Sequence, residues 1–271
     1  MSTILNKIIV ALVFLMLLLV STLYAEESYI FKTNKTEFIG SVAKEKGDKK
    51  TISFVGIPFA KPPVGDLRWK APRELDGYPE TFKATTLPNR CMQVSNFYDS
   101  MDGIEGESII GSEDCLYLNI YLSEKAYMSK EKLPVVFWIH GGGNTWGYSA
   151  SNIFTSGDFI LDHDVILVTT NYRLGPFGWF AYSGLNQDSE NPLDSTANFG
   201  TLDIIKSLEW VNKYISFFNG DPENITIFGE SAGARNVISL MSSPLSKDLF
   251  QRGISQSGYL GSDSLEYSEN L

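Results

Sequence analysis

Histidine and cysteine are scarce in this chain of 271 residues, with two of each, and that scarcity narrows its chemistry. A metal site needs several His, Cys or carboxylate ligands at close spacing, and neither Cys91 nor Cys115 has a further Cys or His beside it, so no metal or other cofactor is expected. Positive charge is short as well: 22 Lys and Arg stand against 32 Asp and Glu, a net charge of -10 spread along the chain. No basic stripe exists on which phosphates release counterions, which excludes nucleic acid as a partner. Repeats and low-complexity tracts are missing too, since the 23 Gly and 11 Pro fall at intervals between short apolar runs. What remains has the size and apolar content of one globular domain.

The N-terminus is the one segment that departs from this pattern. Lys7 precedes an unbroken apolar run from Ile8 to Val20, followed by Ser21, Thr22 and Leu23-Tyr24-Ala25-Glu26. A charge, a short apolar core and a small-residue exit describe a secretory signal over 1–25 with cleavage after Ala25, which places the mature chain outside the cell or in a periplasm. An uncleaved anchor is the rival reading, although the run is short against the ~20 residues that span a bilayer. In an exported chain an even pair of cysteines reads as a disulfide, so Cys91 and Cys115 are expected to pair, two unpaired core thiols being the alternative.

Along the mature chain, Leu116 to Leu122, Val135 to Ile139, Val165 to Thr170 and Ile225 to Phe228 read as strands. Several are apolar on both faces, as in a parallel sheet covered by helices, so the fold class is α/β with a mostly parallel central sheet. Between the last two strands, Leu202, Ile205, Leu208, Val211 and Ile215 keep helical spacing, with Thr201 as the expected cap and Asn219-Gly220-Asp221-Pro222 as the stop, which makes a βαβ crossover. The prolines between Ile57 and Arg68 predict an irregular surface loop, and the polar stretch from Asn96 to Ser112 a second.

Two segments carry chemistry. Apolar Ile225 to Phe228 leads into Gly229-Glu230-Ser231-Ala232-Gly233 and then a helical stretch from Ala234 to Met241, the strand-turn-helix context of a nucleophile elbow. In such a turn the Ser231 hydroxyl projects from the sheet edge while the next helix aims its first amides at a developing oxyanion. His140-Gly141-Gly142-Gly143 follows the strand that ends at Ile139, where Gly-rich backbone brings amides close to a reacting carbonyl. The competing phosphate-cradle reading fails, because no Gly-Lys-Ser/Thr ending and no Gly-x-Gly-x-x-Gly spacing is present there. Two motifs that serve one tetrahedral intermediate point to acyl transfer.

Three further segments accompany these: Gly56-Ile57-Pro58-Phe59-Ala60 with Pro62-Pro63 and Leu67-Arg68, then Ser112-Glu113-Asp114-Cys115-Leu116-Tyr117-Leu118-Asn119, and Asn171-Tyr172-Arg173. On these five segments the chain resembles the type B carboxylesterase and cholinesterase family of the α/β-hydrolase fold, from about Gly40 to the end. The resemblance implies Ser231 as nucleophile, oxyanion amides from Gly142, Gly143 and Ala232, a Cys91–Cys115 disulfide, and small-molecule carboxylic esters as substrates. Glu230 resembles the family's acidic neighbour of the nucleophile, although a carboxylate at a helix start is favourable on dipole grounds alone. The chain departs from the family at Ile204, where Gln is usual, and at Asn144, where an aromatic usually follows the glycines.

One component is missing from the set. A serine nucleophile in this fold is followed along the chain by an Asp or Glu and then a His, and no His follows Ser231. His140 is committed by position to the oxyanion motif, and His163 reads as a solvated turn residue. Ser129 and Lys132 have Ser-x-x-Lys spacing but sit in a charged loop. Only Gly253 to Gln256 reads as a strand after the elbow, so the expectation is the N-terminal part of an esterase domain over 26–271. Its remaining strands, acid and base would lie on a C-terminal part, which a separate reading frame would encode. The chain alone is then weakly active or inactive. A non-catalytic extracellular binding or adhesion module of the same fold is the alternative.

Overall fold

The computed structural model describes residues 27–269 apart from 102, 105, 130, 152–157, 260 and 262. The leader expected over 1–25 lies outside the described residues. Among the described residues there are eleven strands: β1 (Tyr29–Lys32), β2 (Glu37–Lys46), β3 (Lys49–Pro58), β4 (Thr81–Lys83), β5 (Gln93–Val94), β6 (Ile109–Ile110), β7 (Tyr117–Ser123), β8 (Leu133–Ile139), β9 (Ile166–Thr170), β10 (Gly220–Glu230) and β11 (Arg252–Gln256). Nine of them form one sheet in the order β1-β2-β3-β7-β9-β8-β10-β11, with β4 beside β2.

The sheet is mixed, which corrects the expectation of a mostly parallel one. From β9 through β8 and β10 to β11 every pairing is parallel. From β1 through β2, β3 and β7 to β9 every pairing is antiparallel. The division follows the connections: β2 and β3 are joined by a tight hairpin at Gly47, which only antiparallel strands allow, whereas parallel neighbours need a crossover. Strand β9 is buried at every residue, and β8 at most of its second half, which accounts for their unbroken apolar sequences.

The crossover helix, Phe199–Tyr214, lays Leu202, Ile205, Leu208 and Val211 on the sheet. Each such buried side chain contributes about 1.5–3 kcal/mol relative to exposure. Its N-cap is Asn198, not Thr201, which lies a turn inside. The helix runs into a 3-10 turn, Ile215–Phe218, closed by Asn219 in the left-handed conformation at φ 64°. That turn inserts Phe218 among Phe31, Phe38 and Phe54 at ring separations of 5.2, 5.3 and 5.4 Å, tying the antiparallel half of the sheet to the parallel half.

Two ion pairs, each built on a buried carboxylate, lock loops to this frame. Arg173, just after β9, grips Asp203 of the crossover helix through Nε at 2.8 Å and an η nitrogen at 2.7 Å, and its backbone amide donates to the same carboxylate at 3.0 Å. Arg73 holds the fully buried Asp194 at 2.7 and 2.9 Å. Cys91 and Cys115 are bonded, as the sequence predicts. The segment they enclose is more ordered than a loop, with a short helix at Phe97–Met101 and the β5–β6 ladder. The proline-rich stretch likewise begins inside β3 and contains a 3-10 turn at Gly65–Leu67. On the other side, all five residues of β11 are exposed.

Candidate active site

The site forms where the parallel strands end. Strand β10 runs to Glu230, and the next residue, Ser231, takes φ 56° and ψ -118° before the elbow helix Ala232–Ser242 begins. That combination lies outside the regions open to an L-residue without strain and costs on the order of 1–3 kcal/mol. Neighbouring backbone holds it: the Ser231 amide donates to the Gln256 carbonyl of β11 at 2.9 Å, and the Ser231 carbonyl accepts from Arg235 at 3.1 Å, opening the helix. Ser231 is exposed, as is Glu230, while Ala232, Gly233 and Ala234 behind it are buried.

Burial of those small residues lets the elbow helix press onto the end of β8. A Cβ on Gly233 would lie 2.0 Å from the Ile139 carbonyl oxygen and 2.8 Å from that of His140. The same closeness brings the loop after β8 beside the nucleophile position: a Cβ on Gly141 would lie 3.4 Å from the Ser231 Cβ and 3.2 Å from Glu230 Oε2. Next along that loop, Gly142 has φ 99°, and a side chain there would meet the Trp146 carbonyl oxygen at 2.1 Å. Only glycine is accommodated. Among the described residues, neither the Gly142 nor the Gly143 amide finds an acceptor. Ala232, as the first helical residue, has no intrahelical partner for its own amide. The structure therefore sets Ser231 and Glu230 against Gly141, the residue that leads into Gly142 and Gly143.

His140 lies in the same region but is enclosed. Its ring stacks on Tyr172 at 4.3 Å, and its Nδ1 donates to the Gly141 carbonyl at 2.9 Å. Burial, together with the positive charge of Arg90, lowers its pKa to about 4, so it is neutral at physiological pH. Tyr172 is fully buried, its phenol pushed up by that burial, and it donates to the His140 carbonyl at 2.6 Å. The imidazole thus shapes the loop. His163 is exposed in a bend before β9, away from the elbow in sequence and position. Lys132 donates to the Ser216 carbonyl, at the far end of β8 from the elbow.

Residues to which the sequence assigns no role complete the surroundings, Asn144 among them. Asn144 has φ 61° and is bonded to Asn236 of the elbow helix at 3.0 Å, and its carbonyl accepts from Gly175 at 2.7 Å. The Asn at this position thus fastens the glycine loop to the helix, a role that needed the helix face to be known. An open cleft of about 780 Å³ extends from Gly143 and Asn144 along the elbow helix, with Trp179, Leu202 and Tyr259 as apolar walls. Ser231 is not itself among the residues lining it. Among the described residues there is no cluster of metal-ligating side chains, and no helix is long and apolar enough to cross a membrane.

Residues 27–268 match the model of the Carboxylesterase family. The chain is 40% identical over 237 residues to a juvenile hormone esterase of Tribolium castaneum, covering 87% of this chain and 37% of that protein. It is 39% identical over 203 residues to a para-nitrobenzyl esterase of Bacillus subtilis, covering 75% of this chain and 39% of that protein. A solved structure of a thermophilic PNB esterase superposes with a TM-score of 0.76 at 35% identity, over 89% of this chain and 47% of the other. The chain spans about two fifths of the length of the curated relatives it matches.

Proposed function

The chain belongs to the carboxylesterase family, and from that premise we propose that it is the nucleophile-bearing part of an exported serine esterase acting on small-molecule carboxylic esters. Ser231 Oγ attacks the ester carbonyl, the amides of Gly142, Gly143 and Ala232 hold the oxyanion, and the alcohol leaves as an acyl-enzyme forms, which water then hydrolyses. Glu230, beside Gly141, supports the loop from the other side.

The observation that carries this reading is the strained, exposed backbone of Ser231 set against Gly141. A surface without catalysis has no use for strain at that residue. The base is supplied from polypeptide outside these 271 residues, because His140 is buried and engaged and His163 stands elsewhere. The exposed β11 is where further strands of such a domain add, and the Cys91–Cys115 bridge suits an oxidising compartment reached through the 1–25 leader.

The test is turnover of a short-chain aryl ester by this chain alone and with the polypeptide encoded after Leu271. Supplying the base should raise the rate by about 10⁴ to 10⁶ over the chain alone, and Ser231→Ala should remove the gain. A mixture that stays silent with Ser231 intact overturns the assignment and favours a binding module.

A further inference from the structure

Arg235 stands one turn along the elbow helix from Ser231, its amide bonded to the Ser231 carbonyl. It lines the cleft that starts at Gly143. The other five arginines are spent on structure: Arg173 on Asp203, Arg73 on Asp194, Arg68 on Glu113, Arg90 on Asp99 and Arg252 on Asn224. Among the described residues, the Arg235 guanidinium meets no carboxylate within salt-bridge distance and no hydrogen-bond acceptor. It rests over the Tyr259 ring, 4.6 Å from its centroid. A ring over the guanidinium face does not use its forked edge donors. Asn144, Asn236 and Ser239 add neutral donors along the same wall, and Asp263 is the cleft's other charged residue.

From this arrangement we infer that Arg235 is a specificity residue that selects esters carrying a carboxylate, such as half-esters of short dicarboxylic acids. The inference rests on the Ser231 reading. A guanidinium is charged at every accessible pH and pairs with a carboxylate through two parallel hydrogen bonds, which a neutral ester cannot accept. One helical turn, about 5.4 Å, separates the backbone of the two residues, a span suited to a carboxylate a few bonds from the reacting carbonyl. The chain's net charge of -10 repels such a substrate at long range, so a single unneutralised cation beside the nucleophile is the local feature that recovers it.

Two matched pairs of probes test this on the purified chain by titration calorimetry. Monobenzyl succinate against benzyl butyrate places the carboxylate on the acyl side, and 4-acetoxybenzoate against 4-methylphenyl acetate places it on the alcohol side. In one pair the anionic member should bind about tenfold or more tightly, the strength of a charge-assisted pair. Arg235→Gln should abolish that preference, and Arg235→Lys should keep part of it, since the charge survives and the fork does not. Equal binding within both pairs, or a preference that survives Arg235→Gln, overturns the inference. Binding does not require the catalytic base, so the aryl-ester turnover test scores the Ser231 reading separately: turnover without anionic preference refutes Arg235 alone.

Discussion

Gly233→Ala is the sharpest probe of how the elbow is built. The added methyl would sit 2.0 Å from the Ile139 carbonyl oxygen, more than an ångström inside van der Waals contact, and 2.8 Å from the His140 carbonyl oxygen. Both obstacles are backbone at the end of a central strand paired on both sides, so they cannot rotate away. The helix Ala232–Ser242 must lift instead, loosening Val237 and Leu240 from the core. Overpacking of this type costs about 1–3 kcal/mol, which for a domain of this size lowers the melting temperature by about 2–12 °C. The same lift moves Ser231 relative to Gly142 and Gly143, and a displacement near 1 Å costs about 10²-fold in rate. Gly253→Ala is the control, because its methyl would meet no backbone, only the Met241 sulfur at 2.9 Å, the flexible end of an exposed side chain, and Val237 Cγ1 at 3.3 Å. Melting curves, and aryl-ester turnover in the assay of the proposed function, check both variants. If Gly233→Ala melts and turns over like Gly253→Ala, the close approach of helix and strand is not what positions the nucleophile.

Other expectations concern the frame. Asp203→Asn leaves Arg173 buried without its counter-charge and should cost about 3–5 kcal/mol in denaturant unfolding. Serine at both Cys91 and Cys115 removes a bridge across 24 positions and should cost about 3–4 kcal/mol on the chain-entropy estimate, with reductant producing the same loss in the native sequence. His140 has a folded pKa of about 4 against an ordinary 6.5, so folding favours its neutral form. That stabilisation is complete above the ordinary value and is lost as the pH falls towards 4, about 3 kcal/mol across the window. Urea unfolding at neutral and mildly acid pH should show a shallower acid loss in His140→Asn than in the native sequence.

The parallel half of the fold was legible because β9 and the end of β8 bury both faces and so carry apolar runs, while the second half of β10 buries Ile225 and Ile227 and leaves Thr226 and Phe228 half-buried. Of the antiparallel half, only β7 was read, as Leu116 to Leu122. Strand β2 alternates weakly and ends in Ala-Lys-Glu-Lys, and the start of β10 is polar through Asp221–Asn224, where its register against β8 shifts. Tertiary pairing decides such segments, and local preference does not. At the site, the elbow and the glycine loop were readable from spacing alone. Asn144 bound to Asn236, Tyr172 under His140, and Arg73 on Asp194 join residues between 32 and 121 positions apart, which no periodicity reports. Thr201 was misjudged as a cap because helical spacing was counted from Leu202, whereas the helix starts with Phe199 and Gly200 packed beneath Trp179.

The backbone of Ser231 at φ 56° and ψ -118° has a consequence for the protein's history. Glycine would occupy that conformation with little penalty, so a lineage that had abandoned the chemistry could gain on the order of 1 kcal/mol of stability by a Ser-to-Gly change. Keeping serine there is a standing thermodynamic burden. On the proposed reading, what offsets that burden is the hydroxyl's role as nucleophile.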